Sequence, residues 1–112
     1  MVFKLMANDF KNEKVDLTTT NATVLYTAPA AKTAVFKSIL VSEDSGNADT
    51  ITVTITNAAA AVFSLFKVKA VAANTTIELL TQPLVVETGE IIKLTAATAN
   101  RLHVVASYME IS

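Results

Sequence analysis

Asp49-Thr-Ile-Thr-Val-Thr-Ile-Thr56 places Ile51, Val53 and Ile55 on one side of an extended backbone and Thr50, Thr52, Thr54 and Thr56 on the other. A period of two built from β-branched residues describes a strand with one dry face and one wet or partner-facing face. The preceding Glu43-Asp-Ser-Gly-Asn-Ala48 is the plainest turn in the chain, with Gly46 and Asn47 suited to positive φ. It is expected to join the strand Thr33–Ser42 to Asp49–Thr56 as a hairpin. Thr33–Ser42 is apolar on both sides: Val35, Ile39 and Val41 on one, Phe36 and Leu40 on the other. Such a strand is expected to be covered twice, once by the facing sheet and once by another surface.

Further strand-like runs recur about every ten residues. They are Thr23–Thr27, Val62–Val71, Thr76–Leu80, Leu84–Val86, Ile91–Ala96 and Leu102–Ile111, separated by breaks at Pro29, Ala58–Ala61, Pro83, Gly89 and Ala97–Arg101. No amphipathic helix of ordinary length intervenes. The pattern implies an all-β protein, an antiparallel β-sandwich or jelly-roll-like fold of about eight strands over residues 21–112. Residues 1–20 stand apart, with Asn8, Asp9, Lys11, Asn12, Glu13, Lys14 and Asp16 crowded between two short apolar pieces. They read as an N-terminal arm or a first strand, and the shortage of apolar residues to fix them locally favours the arm.

At 112 residues this is one domain. With no cysteine, its core must hold without disulfides. The hydrophobic fraction is 52% and the charged fraction 17%, against roughly 25% charged in ordinary globular chains. An apolar excess on a small domain implies surface buried between chains. Net charge is −1 and the lysines are scattered, so nothing here suits a nucleic-acid phosphate backbone. No apolar stretch approaches the roughly 20 residues of a membrane-spanning helix, and Lys4 and Asn8 break any signal-peptide core.

The residues offer little chemistry. His103 is the sole histidine, and metal binding ordinarily needs further His or Cys ligands; a partly covered strand residue is the plain reading. Glu43, Asp44 and Asp49 flank Gly46, as Glu87 and Glu90 bracket Gly89, but neither spacing matches an EF-hand loop. Gly46 and Gly89 are the only glycines, so neither a Gly-x-Ser-x-Gly elbow nor a phosphate-cradling loop exists. No catalytic residue, cofactor or metal is assigned. A sugar platform would want exposed aromatics, yet there is no Trp, and Tyr26 and Tyr108 read as core or interface. The residues expected to carry contacts between chains are Val35, Phe36, Phe63, Phe66 and Tyr108.

Three phrases carry a family resemblance: Thr23-Val-Leu-Tyr-Thr-Ala-Pro29 followed by Lys32-Thr-Ala-Val-Phe-Lys-Ser-Ile-Leu-Val41; Leu79-Leu-Thr-Gln-Pro-Leu-Val-Val-Glu-Thr-Gly-Glu-Ile-Ile-Lys-Leu94; and Asn100-Arg-Leu-His-Val-Val-Ala-Ser-Tyr-Met-Glu-Ile111. Together they resemble small β-sandwich virion proteins of tailed bacteriophages. Glu90 stands where those proteins more often have Asp, and residues 1–20 lie outside the match. The resemblance implies a non-enzymatic structural protein of the virion, made in the host cytoplasm. A capsid decoration or cement protein is the first expectation, acting as a homotrimer on the major capsid protein. A tail, neck or fibre-associated module and a carbohydrate-binding host-attachment module are the alternatives.

Overall fold

The computed structural model describes residues 8–112, which fold into two antiparallel sheets packed face to face. The strands are β1 (Asn8–Asp16), β2 (Thr23–Thr27), β3 (Thr33–Glu43), β4 (Asp49–Thr56), β5 (Val62–Val71), β6 (Thr76–Glu78), β7 (Leu84–Val86), β8 (Ile91–Ala96) and β9 (Leu102–Ile111). One sheet runs β1-β9-β3, with β6 and β7 sharing the far side of β3; the other runs β2-β8-β4-β5. Apart from β4–β5 and β6–β7, successive strands pass from one sheet to the other, which wraps the chain in the manner of a jelly roll.

The ninth strand comes from the segment that composition marks as an arm or a first strand. Asn8–Asp16 pairs with β9 along its whole length, from Asn8 opposite Ile111 to Asp16 opposite His103. Its charges suit an edge, where they discourage pairing with foreign strands. Of the rest of the 1–20 segment, Leu17 is buried in the core and exchanges backbone hydrogen bonds with Leu102 and Asn100, while residues 1–7 lie outside the described residues.

The expected hairpin between β3 and β4 does not form. β3 belongs to one sheet and β4 to the other, so Glu43–Ala48 is a crossing between layers. Glu43 holds the crossing in place. Its side chain is buried and accepts hydrogen bonds from the backbone N–H groups of Ser45 (2.9 Å), Gly46, Asn47 and Asn74 (each 3.1 Å), and from the Ser45 hydroxyl. Asn74 belongs to the β5–β6 link, so one carboxylate ties two crossings together. Asp49 does the same for the β8–β9 link, accepting from Thr98 N–H at 3.1 Å. Burial pushes the Glu43 carboxyl up; the five donors outweigh it and hold the group at about 2, below the ordinary 4.5.

The core is dry and β-branched. Ile51 and Val53 of β4 are fully buried, while Ile55 is half-buried at the rim. Opposite them stand Phe36, Ile39 and Val41 of β3 and Val104 and Ala106 of β9. Strict alternation along β3 would put Phe36 and Ile39 on opposite faces, but both are inside. Lys37 is the reason: Phe36 pairs with Tyr108 and Ser38 with Ser107, so Lys37 is an unpaired bulge residue that switches the phase of the strand. Val35 and Leu40 are thereby turned outward. β5 is irregular as well. It shifts register twice against β4, and Val68 takes a positive φ of 51° with its N–H on Thr52 Oγ1 at 3.0 Å.

These faces generate a paired expectation. Ile51→Ala should cost about 2–5 kcal/mol, and Val53→Asp should abolish cooperative unfolding because a buried, unpaired carboxylate has no compensation. Thr54→Val, on the opposite face, should change stability by no more than about 0.5 kcal/mol. Thermal denaturation followed by circular dichroism checks all three; an unchanged melting temperature in Val53→Asp would mean the faces are reversed.

Candidate functional site

The outer face of the five-stranded sheet carries a row of apolar side chains that crosses four strands. Directly opposed residues of antiparallel strands share a face. Phe10 of β1 is opposite Met109 of β9, Met109 is opposite Val35 of β3, and Val35 is opposite Val85 of β7. Phe10 is 82% exposed and Val85 52%, with Met109 and Val35 half-buried between them. A polar row, Asn12–Ser107–Ser38, follows; beyond it Val105 and Leu40 form a second apolar pair flanked by Lys14 and Glu78. The bulge at Lys37 creates this arrangement, since it allows Val35 and Leu40 to face solvent while Phe36 and Ile39 face the core.

A second apolar region lies along one open side of the sandwich, between the free edge of β5 and the β6–β7 edge of the other sheet. There Leu65, Phe66, Leu79, Leu80, Pro83 and Leu84 line a groove of about 460 Å³. Leu65, Phe66, Leu80 and Leu84 also pack against the core and are half-buried. On β5 itself Val62, Phe63 and Val68 are mostly exposed.

The opposite open side, between β1 and β2, is polar. A cleft of about 630 Å³ is bounded there by Lys11, Glu13, Tyr26, Lys32, Tyr108 and Glu110 among others. Glu110 is buried and accepts hydrogen bonds from Lys11 Nζ (2.9 Å), the Tyr26 hydroxyl (2.7 Å) and Lys32 Nζ (3.3 Å). The Tyr108 hydroxyl donates to Glu13 at 3.1 Å. The bonds from Lys11 and Tyr26 hold the Glu110 carboxyl at about 2 against the opposing effect of burial. Burial, then the neighbouring carboxylates, push both tyrosine hydroxyls upward. These groups satisfy one another and fasten β1 and β2 across the gap between sheets. They are arranged for closure.

His103 stands between two carboxylates, with Nε2 3.2 Å from Asp16 and Nδ1 3.4 Å from Asp44, all three well exposed. Among the described residues no three His, Cys, Asp or Glu side chains are grouped to hold a metal ion. The acceptor capacity of Glu43 is spent on the turn above.

The contact residues expected from sequence divide. Val35 belongs to the outer apolar row, Phe63 is exposed on β5, and Phe66 lines the groove. Phe36 and Tyr108 are corrections: both are buried in this chain's own core, stacked with ring centroids 4.7 Å apart and packed against Tyr26. Alternation along β3 misplaces Phe36 because of the bulge, and Tyr108 faces inward beside it. Phe10, Met109 and Val85 are absent from the sequence-derived set. Phe10 is a lone aromatic in a polar stretch, and its partners are identified only by strand register.

No family model matches the chain, and no curated protein matches its sequence. Among solved structures it is similar to a protein of Bacillus endospore appendages, a novel family of disulfide-linked pili, with a TM-score of 0.59 and 12% identity. The similarity covers 98% of this chain and 89% of that one. It extends over the whole sandwich and concerns the fold.

Acid should expose the role of the two buried carboxylates. Glu43 and Glu110 both lie below their ordinary 4.5 in the folded chain. The stability they contribute is therefore complete above about 4.5 and is lost as pH falls through about 2. Melting temperature should drop steadily over that interval, and Glu110→Gln should flatten the drop; an identical acid profile in the variant would rule out the coupling.

Proposed function

We propose that this chain is a non-enzymatic structural subunit of a larger protein assembly, specifically a virion protein of a tailed bacteriophage that decorates the capsid as a homotrimer. The observation that carries the assembly reading is the apolar row Phe10–Met109–Val35–Val85, laid across a sheet face with nothing of the described chain over it. At about 25 cal/mol per Å² of apolar surface, a few hundred Å² per contact contributes several kcal/mol before association costs. The groove beside β5 lies elsewhere on the molecule, so the chain presents two unlike apolar surfaces. Unlike surfaces that meet between copies generate rings when the rotation closes, which suits a cyclic trimer at a threefold position of a shell. The virion setting comes from the resemblance of the Thr23–Pro29, Leu79–Leu94 and Asn100–Ile111 phrases. The tail or neck placement shares all of this and differs in copy number.

The likeness to a pilus protein favours a second reading, a filament subunit, since the same unlike contact without closure gives an open helical polymer. This sequence contains no cysteine, so its polymer would be held without disulfides. A sugar-binding module has less support, because Tyr26 and Tyr108 are in the core and unavailable as a platform.

Light scattering of the purified chain should give a multiple of the single-chain mass. The double substitution Phe10→Asp with Val85→Lys should leave the melting temperature nearly unchanged and reduce that mass. Electron microscopy separates rings from filaments, and quantitative mass spectrometry of virions separates capsid from tail by copy number. A chain that stays monomeric at high concentration and is missing from particles would end the proposal.

A further inference from the structure

The outer face of the five-stranded sheet carries a charge pattern that matches a second copy of itself. One row across it reads Lys14–Val105–Leu40–Glu78, a cation at the β1 edge and an anion at the β6 edge with two apolar residues between them. Both charged side chains are exposed. The Glu78 carboxylate lies on this face, where it accepts from the Ser38 hydroxyl. The parallel row Phe10–Met109–Val35–Val85 is large at the β1 edge and smaller at the β7 edge. Between the two rows lies the polar row Asn12–Ser107–Ser38, and beside it Lys37 borders a dimple of about 290 Å³ together with Phe10, Asn12 and Ser107.

Symmetry decides which surface meets which. A twofold axis in the plane of contact and parallel to the strands exchanges the two edges of the sheet while keeping every row at its own height. Lys14 of each copy then faces Glu78 of the other, so one operation makes two ion pairs. The same operation lays Phe10 over Val85, Met109 over Val35 and Val105 over Leu40. The polar rows meet each other, with each Lys37 over the Asn12 and Ser107 oxygens of the other copy. A twofold axis perpendicular to the strands reverses the rows instead, and sets apolar Val85 against the Glu78 carboxylate. Packed sheets turn by about 30° relative to one another. Over a face three strand spacings wide, that turn moves the corner residues by about 5 Å, a distance that long Lys and Glu side chains span.

We propose that two copies pair face to face through this sheet, about a twofold axis running along the strands. The proposal rests on the reading of the chain as an assembly subunit and names one of its contacts. Because the face pairs with itself, this contact closes at two copies. The groove beside β5 lies elsewhere and stays free for the unlike contact of a ring or filament.

With no native cysteine, thiol cross-linking reads the geometry directly. Phe10 and Val85 of one chain are separated by the order β1-β9-β3-β7, three strand spacings or roughly 14 Å, too far for a short bifunctional thiol reagent. The chain carrying both Phe10→Cys and Val85→Cys should therefore give a closed covalent dimer, and Phe10→Cys alone should give almost none. A ladder of higher oligomers, or efficient cross-linking by Phe10→Cys alone, would overturn the proposal. Lys14→Glu sets like charges opposite each other at both pairs and should raise the dimer Kd about tenfold. Adding Glu78→Lys to the same chain should bring Kd back towards the native value, with circular dichroism checking the fold because Glu78 also accepts from Ile39 N–H. An unchanged Kd in Lys14→Glu would likewise overturn the proposal. An oligomeric protein that yields no 10-to-85 cross-link would overturn it while leaving the assembly reading intact, and a chain that is monomeric throughout would overturn both.

Discussion

One extra residue in β3 governs which parts of this molecule are dry and which are offered to a partner. Lys37 has no opposite number on β9, so the strand changes phase between Phe36 and Ser38. Before the bulge Ala34 and Phe36 face the core; after it Ile39 and Val41 do. Without the change, the large ring of Phe36 and the side chain of Ile39 would compete for opposite sides of the sheet. The same shift sends Val35 and Leu40 to the outer surface. Core and contact surface are thus two results of a single irregularity. Glu78 stabilises the site from the neighbouring strand, accepting from Ile39 N–H at 2.8 Å and from the Ser38 hydroxyl, where β3 changes partner from β6 to β7.

The remaining architecture divides the sandwich by polarity. Glu43 and Asp49 gather the crossings at one end, where several links pass between layers and leave N–H groups that require acceptors. Glu110 clamps the β1–β2 side with two ammonium groups and a phenol. A buried carboxylate is tolerable only when donors surround it, and in both places they do. The β5 side has no such clamp. It is left apolar and open, which separates a closed, self-satisfied flank from one suited to another chain.

Much of the fold is legible in the sequence because β-branched alternation and turn residues act locally. The segments Thr23–Thr27, Asp49–Thr56, Val62–Val71, Leu84–Val86, Ile91–Ala96 and Leu102–Ile111 are strands at those bounds. What escapes is set by contacts distant in sequence. Asn8–Asp16 has almost no apolar content, and its strand conformation depends on pairing with β9, at the other end of the chain. The Glu43–Ala48 turn has the residues of a hairpin; that it crosses between sheets is seen only in the sheet order, and its bond from Asn74 comes from a distant link. Among contact residues, Val35 and Phe63 are exposed or half-exposed as the apolar excess suggests, whereas Phe36 needed the phase of β3 to be known and Tyr108 shares the buried alternate face of β9 with Val104 and Ala106. The row from Phe10 to Val85 is assembled from four separate strands and has no linear signature.

Val68 adds a final consequence. A β-branched residue at φ 51° is an uncommon conformation, and here it lies on an edge strand whose ladder to β4 is already interrupted twice. A foreign strand laid alongside β5 would lose alignment when it reached this kink. Ribbon growth by endless edge addition, the route to amyloid, is therefore frustrated locally even though Val62 and Phe63 are greasy and uncovered. The chain can present sticky side chains at high concentration with a brake on runaway aggregation built into its own backbone.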